Sequence, residues 1–570
     1  MRVPDAVASV LAGLGADTVF GLVGSGNFHV TNALIARGAR FIAARHECGA
    51  ASMADGWARL TGRPGIVTVH QGPGLTNAIT AITEAAKSRT PMLVLSADVA
   101  AGAVRSNFRI DMAGLAQAIG AVPARLHSPG FAADDTARAY RTAAEDRRTV
   151  ILALPLDVQA GECEGPPATQ PPPAVAPAPP DHDGVARLAA AIGRARRPVF
   201  IAGRGARVSG ARRALERLAD ACGALLATSA AAKGLFRGNP WDLDISGGFA
   251  SPLAAELIRG ADLVVGWGCS LNTWTLRHGR LIGEGATVAQ VDTDPAALGM
   301  HRPVDLGVTG DAALTADAVT EALAGAGADL APEAGAVTGA RTGAATGIRH
   351  GTGYRSEELR QRIARGIRWR DVPYDDDSTA SRIDPRTLTA ALDDLLPAER
   401  VVAVDSGNFM GYPSMYLSVP DENGFTFTQA YQSVGLGLAS AIGSAIARPD
   451  RLAVAALGDG GALMGISELE TAVRLALPMV IVVYDDEAYG AEVHHFGPDG
   501  HPLDTVRFPP ADIAGIARGF GCAALTVRRR EDLAGAGDWL DGPRDRPLLI
   551  DAKVTSTAGA WWLEEAFRGH

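Results

Sequence analysis

The stretch from Leu452 to Gly490 constrains the fold more than any other part of the chain. An apolar run, Leu452 to Leu457, leads straight into Gly458-Asp459-Gly460-Gly461, and a helical pattern follows with Ile466, Leu469, Val473 and Leu477 on one stripe. Pro478 is expected to stop that helix. A second apolar run, Met479 to Tyr484, then ends in Asp485-Asp486-Glu487-Ala488-Tyr489-Gly490. Strand, crossover helix and parallel strand join right-handedly almost without exception, so Asp459 and Asp486 are expected at the same edge of one sheet.

Similar runs, Val150 to Leu154, Pro198 to Ala202, Asp262 to Trp267 and Val401 to Val404, alternate with segments of helical period. Strands buried on both faces under crossover helices read this way, so the fold class is α/β with parallel sheets. Two stretches of biased composition, 165–182 rich in Pro and Ala and 324–381 rich in Gly, Ala, Thr and charge, read as linkers. They leave three bodies, 1–164, 183–323 and 382–570, as a chain too long for a single core requires.

The formal net charge of −10 is spread along the sequence without a basic block, which argues against nucleic acid as a partner. The one basic cluster, Arg528 to Arg530, reads as a solvated helix start or turn. The five cysteines, Cys48, Cys163, Cys222, Cys269 and Cys522, form no CxxC pair, so neither a disulfide framework nor a zinc site is expected, and a reducing cytoplasm is. The first residues read as an amphipathic helix without an apolar leader core, and no apolar run approaches membrane-spanning length, so neither export nor a membrane partner is expected.

Two carboxylates at neighbouring strand ends, beside glycines that let backbone amides approach a ligand, suit a hard divalent ion bridging to phosphate oxygens. Gly-Asp-Gly alone is equally a common turn; the strand context and the second acidic pair give it meaning. The whole segment resembles the thiamine-diphosphate signature, Gly-Asp-Gly followed at a fixed distance by Asn-Asn. The resemblance implies thiamine diphosphate held through Mg2+ or another divalent ion, with Asp459, Asp486 and the carbonyl of Ala488 as metal ligands. It also places Gly460, Gly461, Tyr489 and Gly490 beside the cofactor. Asp485-Asp486 departs from Asn-Asn, and its extra carboxylate adds negative charge facing a diphosphate.

Near the start of the chain, Glu47 opens a segment of small residues that runs to Arg59. Taken alone it is either a charge answering the helix dipole or a closely packed acid able to hold a proton near neutral pH. The segment, with Gly72-Pro73-Gly74-Leu75-Thr76-Asn77 after it, resembles the family's activating-glutamate and Gly-Pro-Gly-x-Thr-Asn elements. Glu47 is then the implied catalytic acid, exchanging a proton with N1′ of the aminopyrimidine. Gly407 and Asn408 fall where the family touches the diphosphate. Gln432 and Val434 fall where it holds the aminopyrimidine and wedges the cofactor, Val434 being smaller than the usual side chain. Because Glu47 and the metal site lie in different bodies, which the family draws from different subunits, a homodimer or homotetramer with its site at a subunit interface is implied. Pro198 to His301 looks like the family's middle domain, which completes three doubly wound parallel-sheet domains: pyrimidine-binding, middle and diphosphate-binding.

Within that family the chain resembles acetolactate synthase large subunits. This implies decarboxylation of a 2-oxo acid and transfer of the acyl carbanion to an acceptor carbonyl. Simple non-oxidative decarboxylation or carbon-carbon cleavage is the alternative enzyme reading, and a non-catalytic assembly protein with a retained fold the alternative of another class. Two departures bear on the substrate: Arg109, after Phe108, stands where those synthases carry a pocket Gln, and Leu156 stands where they carry Lys. Arg109 either clamps a carboxylate or phosphate or forms a structural salt bridge. His70 and Gln71 are expected near the reactive end of the cofactor, the alternative for His70 being a histidine satisfied in the core. Glu492 and His494, beside His495, open a segment that in relatives helps build the substrate channel, and a solvated turn is the other reading. Gly203-Arg204-Gly205-Ala206 and Gly266 to Asn272 resemble loops of the FAD-holding middle domain. The acidic and Arg pattern expected next gives way to Thr273-Trp274-Thr275-Leu276, so FAD is the less favoured cofactor.

Overall fold

The computed structural model of the protein describes residues 1–164, 176–328, 353–557 and 559–563, and it is built on three parallel six-stranded sheets. The first contains β1 Thr18–Gly21, β2 Arg40–Ala43, β3 Gly65–Val69, β4 Met92–Asp98, β5 Val122–Arg125 and β6 Thr149–Pro155, in the order β2-β1-β3-β4-β6-β5. The second contains β7 Pro198–Ala202, β8 Leu225–Thr228, β9 Asp242–Ile245, β10 Leu263–Trp267, β11 Thr287–Asp292 and β12 Leu306–Thr309, in the order β12-β11-β10-β7-β8-β9. The third contains β13 Arg400–Val404, β14 Phe425–Phe427, β15 Leu452–Gly458, β16 Met479–Asp485, β17 Ala523–Val527 and β18 Leu548–Lys553, in the order β14-β13-β15-β16-β18-β17.

Numbered from their own first strands, the first and third sheets have one and the same order. In each, connections leave in opposite directions from the two strands flanking the switch point, β1/β3 and β13/β15. Loops diverge there and leave a crevice at the carboxyl ends of the strands, where open α/β sheets bind ligands. Every residue of β3, β13 and β16 is buried, which accounts for their near-continuous Val, Ile and Ala content.

The chain divides into two compact units, one of Met1–Val175, Asp376–Pro413 and Thr426–Ala560, the other of Ala176–Asp375, Ser414–Phe425 and Trp561–His570. Within the first unit, the helix Glu47–Thr61 packs against the helix Gly437–Ala447 with almost no side chain between them. A Cβ at Gly56 would lie 2.3 Å from the Ser440 carbonyl oxygen, and one at Gly443 would lie 2.0 Å from that of Met53. Small residues let the two backbones touch and so join the first and third sheets into one core.

Three expectations need correction. The helix after Gly461 is not continuous: it runs Asp459–Met464, breaks at Gly465, resumes as Glu468–Arg474 and ends before Pro478 acts. Of the stretches read as linkers, 165–175 and 329–352 lie outside the described residues, but 324–328 and 357–371 carry helical structure. The helix Ala312–Ala328 overruns the boundary at 323, and Glu357–Gly366 is a helix whose Leu359 and Ile363 join the core of the second sheet. Its polar composition is the solvent face of an amphipathic helix with buried residues at i and i+4. The body 382–570 is also interrupted, since Ser414–Phe425 and the segment from Trp561 belong to the second unit, where Trp561 stacks on Trp369 with ring centroids 5.7 Å apart. Among the described residues, no helix is long and apolar enough to cross a membrane.

Candidate active site

Glu47 is the first residue of its helix, directly after the turn that follows β2, and is buried at 8% exposure. Asn77, in the first turns of the helix Pro73–Lys87, donates from Nδ2 to Glu47 Oε2 at 3.1 Å. The turn before Glu47 is held by the third sheet's side of the unit: Glu468 Oε1 accepts the backbone N–H groups of Arg45 and His46, each at 3.0 Å. Buried Glu468 thus fixes the angle at which Glu47 is presented.

The turn after β3 supplies the neighbouring wall. The Gly26 N–H donates to His70 Nδ1 at 3.1 Å, so Nδ1 is the acceptor and the ring proton sits on Nε2. Phe108 lies edge-on to that ring, centroids 5.2 Å apart, and its carbonyl oxygen closes on Gly72, whose φ of +62° and 2.8 Å clearance admit no side chain. Gln71 is buried, and its Oε1 has no hydrogen-bond partner among the described residues. The structure therefore brings Glu47, His70, Gln71 and Phe108 to one edge. Arg109 follows Phe108, is exposed, and makes no hydrogen bond or ion pair with its guanidinium to any described residue.

The second group sits at the equivalent edge of the third sheet. β15 and β16 are parallel neighbours with Gly458 opposite Tyr484, so Asp459 and Asp486 emerge side by side. Burial pushes Asp459 up to about 7, and the Asp486 and Asp485 carboxylates add to the shift. Burial likewise raises Asp486 to about 6, against hydrogen bonds from Ser556 and the Ala488 backbone. Two partly buried carboxylates that disfavour each other's charge call for a cation. No three His, Cys, Asp or Glu side chains converge on a metal among the described residues, so the Ala488 carbonyl and oxygens of a ligand would have to complete the shell.

The surrounding glycines form a cradle that side chains would fill. A Cβ at Gly490 would lie 2.4 Å from Asp486 Oδ2 and 2.8 Å from Asn408 Nδ2; at Gly460 it would lie 3.0 Å from the Tyr489 ring; at Gly461, 2.4 Å from Asp405 Oδ2 and 3.1 Å from Val434 Cγ1. Asn408, Val434, Asp459, Asp486 and Tyr489 are thereby gathered around backbone kept bare, and this cradle and donor set fit a diphosphate bridged by a divalent ion. Gln432 stands on the same loop as Val434, exposed and at a φ of +59°. His494 Nε2 lies 3.0 Å from Ser556 Oγ, which donates to Asp486 Oδ2 at 3.2 Å, so His494 reaches the acidic pair through one hydroxyl. Burial, with Arg507 nearby, holds the His494 imidazole below its ordinary range. Glu492 lies in the same helix, Gly490–Phe496.

Asp485 does not act as sequence suggested. Its side chain is buried and turned to Lys553 Nζ, which also lies 3.2 Å from Asp551, while Asp485 Oδ1 accepts the Glu487 N–H at 3.1 Å. The extra carboxylate is answered by a lysine rather than left facing a phosphate.

Asp405 is a further side chain that shapes the site, one that no sequence motif marks. Fully buried at the end of β13, it accepts the backbone N–H groups of Ser406 and Gly435 at 2.9 Å and of Leu436 at 3.2 Å, and so fixes the Val434 loop. The only signal in sequence was an Asp at a strand's carboxyl end. In the second unit, the two glycine loops considered for FAD pack on each other, with a Cβ at Gly205 falling 2.7 Å from Gly268 Cα, so loop packing by itself requires those glycines.

Two sheets of one topology, each presenting polar groups at its switch point, with a third sheet between them in sequence, define a cofactor-dependent α/β enzyme. Residues 1–118, 185–319 and 405–552 match the N-terminal TPP-binding, central and C-terminal TPP-binding domains of thiamine pyrophosphate enzymes. The chain is 32% identical over 543 residues to a probable 2-ketoarginine decarboxylase of Pseudomonas aeruginosa, covering 93% of this chain and 89% of that protein. It is 28% identical to a sulfoacetaldehyde acetyltransferase of Castellaniella defragrans, with 94% and 90% covered, and 27% identical to a catabolic acetolactate synthase of Raoultella terrigena, with 96% of each covered. The chain belongs to the thiamine pyrophosphate-dependent enzymes, of the acetolactate synthase-like kind.

Proposed function

We propose that this enzyme decarboxylates a 2-oxo acid and transfers the resulting acyl carbanion to an acceptor carbonyl. The observation that carries the reading is the buried Glu47 carboxylate held by Asn77, together with the Asp459 and Asp486 pair on the matching edge of the other sheet. When bound, thiamine diphosphate supplies a nucleophilic carbon and an electron sink for decarboxylation.

In this reading Asp459, Asp486 and the Ala488 carbonyl hold Mg2+. Gly407, Asn408, Gly460, Gly461, Tyr489 and Gly490 line the diphosphate, and Gln432 and Val434 face the aminopyrimidine. Glu47 holds and returns the proton at N1′. His70 offers its Nε2–H to a substrate oxygen, with Gln71 and Phe108 beside it, while Glu492 and His494 border the substrate path. No flavin is included.

Among the described residues, no hydrogen bond or ion pair directly joins the Glu47 group to the acidic pair. Val434, Leu463, Met464 and Tyr489 are each at least 39% exposed around that pair. An apolar surface beside a half-built site supports a homodimer or homotetramer in which one copy's Glu47 completes another's metal site. The five free cysteines support a reducing, cytoplasmic setting.

A second reading, decarboxylation with a proton in place of the acceptor, is supported by the similarity to a protein named as a decarboxylase. Incubating the protein with thiamine diphosphate, Mg2+ and a series of 2-oxo acids, with and without aldehyde acceptors, separates the two by mass spectrometry. Carbon dioxide with a ligated product sustains the carboligase, and carbon dioxide with free aldehyde sustains the decarboxylase. Glu47→Gln is expected to abolish either, whereas indifference to it would identify an assembly protein.

A further inference from the structure

A cavity of about 940 Å³ opens beside β4, β5 and β6 of the first sheet, and the residue that follows Phe108, Arg109, is part of its lining. Its floor includes Met112 and Ile151, and its rim carries Asp98, Arg109, Arg125 and Arg138. Most of that charge is answered locally. Arg125 pairs with Asp98 at 2.5 Å, and Arg138 and His127 both pair with Asp135. Asp111, also on the rim, caps the helix Met112–Ala118 through the Gly114 N–H at 2.9 Å.

Arg109 is the exception, since its guanidinium has no hydrogen bond or ion pair to a described residue. Its backbone is nonetheless fixed, by an N–H donated to the Ser106 carbonyl at 3.1 Å and by Phe108, which is locked between His70 and Gly72. An exposed guanidinium without a partner among the described residues presents a planar fork of donors that matches a carboxylate or a similar oxyanion. The volume suits a molecule well beyond a two-carbon unit.

We propose that this cavity receives a second anionic group of the substrate, distal to its reacting carbonyl, with Arg109 as the bidentate anchor. This rests on the 2-oxo acid reading above and narrows it: the preferred donor or acceptor is a dianion rather than a simple monoacid such as pyruvate. Lysine at position 109 keeps the charge but not the fork, so it is a partial substitute.

The test uses holoenzyme saturated with thiamine diphosphate and Mg2+. Isothermal titration with glutarate, an unreactive dicarboxylate, and with acetate is compared for the native protein, Arg109→Gln and Arg109→Lys. Glutarate is expected to bind at least tenfold more weakly to Arg109→Gln, with Arg109→Lys between, and acetate to be indifferent. In turnover, the kcat/KM ratio of 2-oxoglutarate to pyruvate should fall at least tenfold in Arg109→Gln, chiefly through KM. Glutarate binding that ignores Arg109 overturns the proposal. Binding that depends on Arg109 with an unchanged substrate ratio overturns the substrate assignment in favour of a separate anionic effector. If no 2-oxo acid is turned over, the reaction reading and the substrate assignment fail together, and the glutarate titration alone decides whether the cavity is an anion site.

Discussion

Glu84 Oε2 accepts the backbone N–H of Tyr431 at 2.6 Å, 347 positions away in sequence, while Oε1 accepts that of Ala430 at 3.2 Å. Arg59 completes the attachment, donating to Glu84 at 2.8 Å, to Asp55 at 2.7 Å and to the Phe427 carbonyl at 3.0 Å. The loop that carries Gln432 and Val434 therefore hangs from the helix Pro73–Lys87, whose early turns hold Glu47 through Asn77.

Breaking a buried charged network leaves unpaired partners, so Glu84→Ala is expected to cost about 3–5 kcal/mol of stability. It should also weaken thiamine diphosphate binding, because Val434 and Gln432 lose their support. Chemical denaturation and cofactor titration check the two effects, and a stability loss with unchanged cofactor affinity would refute the positioning role of Glu84.

Lys553→Met removes the cation that pairs with both Asp485 and Asp551, and a loss of about 3–5 kcal/mol is expected. Adding Asp485→Asn should recover part of it by deleting one stranded charge. Urea unfolding of the single and double variants measures that coupling, and strict additivity would show that Lys553 does not compensate Asp485.

Burial pushes Asp405 up to about 6 from its ordinary 3.8, against the backbone amides that pull it down. The native state thus keeps a proton that the unfolded chain has released, so this residue's contribution to stability is present in acid and is lost as pH rises through about 6. The stability of the native protein minus that of Asp405→Asn is expected to fall between pH 4 and 6.5 and then level off. A constant difference across that range would mean that burial does not raise the Asp405 pKa in the folded protein.

Asp459→Asn and Asp486→Ala should each weaken Mg2+-dependent binding of thiamine diphosphate by roughly tenfold or more. Calorimetry with Mg2+ and with a chelator makes the comparison. Equal cofactor affinity in both conditions for the native protein would remove the divalent ion from the proposed site.

Much of this was legible in the residue order because the signals are local. The run Leu452 to Leu457 became β15 with one added residue, Met479 to Tyr484 became β16 in the same way, and Arg528 to Arg530 became an exposed strand-to-helix turn. The continuous helix after Gly461 failed because an apolar stripe records which face is buried and not whether the backbone breaks beneath it. The polar stretch after 324 misled in the opposite sense, since two buried residues, Leu359 and Ile363, are enough to dock a helix whose remaining composition is soluble.

The sequence by itself determined the parallel α/β class, the strand ends that carry Glu47, Asp459 and Asp486, and the family to which those motifs point. Strand period, turn chemistry and short motifs are properties of neighbouring residues, so the order of residues suffices for them. Only the tertiary structure decided that Asp485 is answered by Lys553, that Asp405 and Glu84 hold the Val434 loop, and that Arg109 lines a cavity without a side-chain partner among the described residues. Each of those depends on which distant groups share a low-dielectric space, and hydrogen bonds and ion pairs across tens or hundreds of positions leave no periodicity in the chain that could announce them.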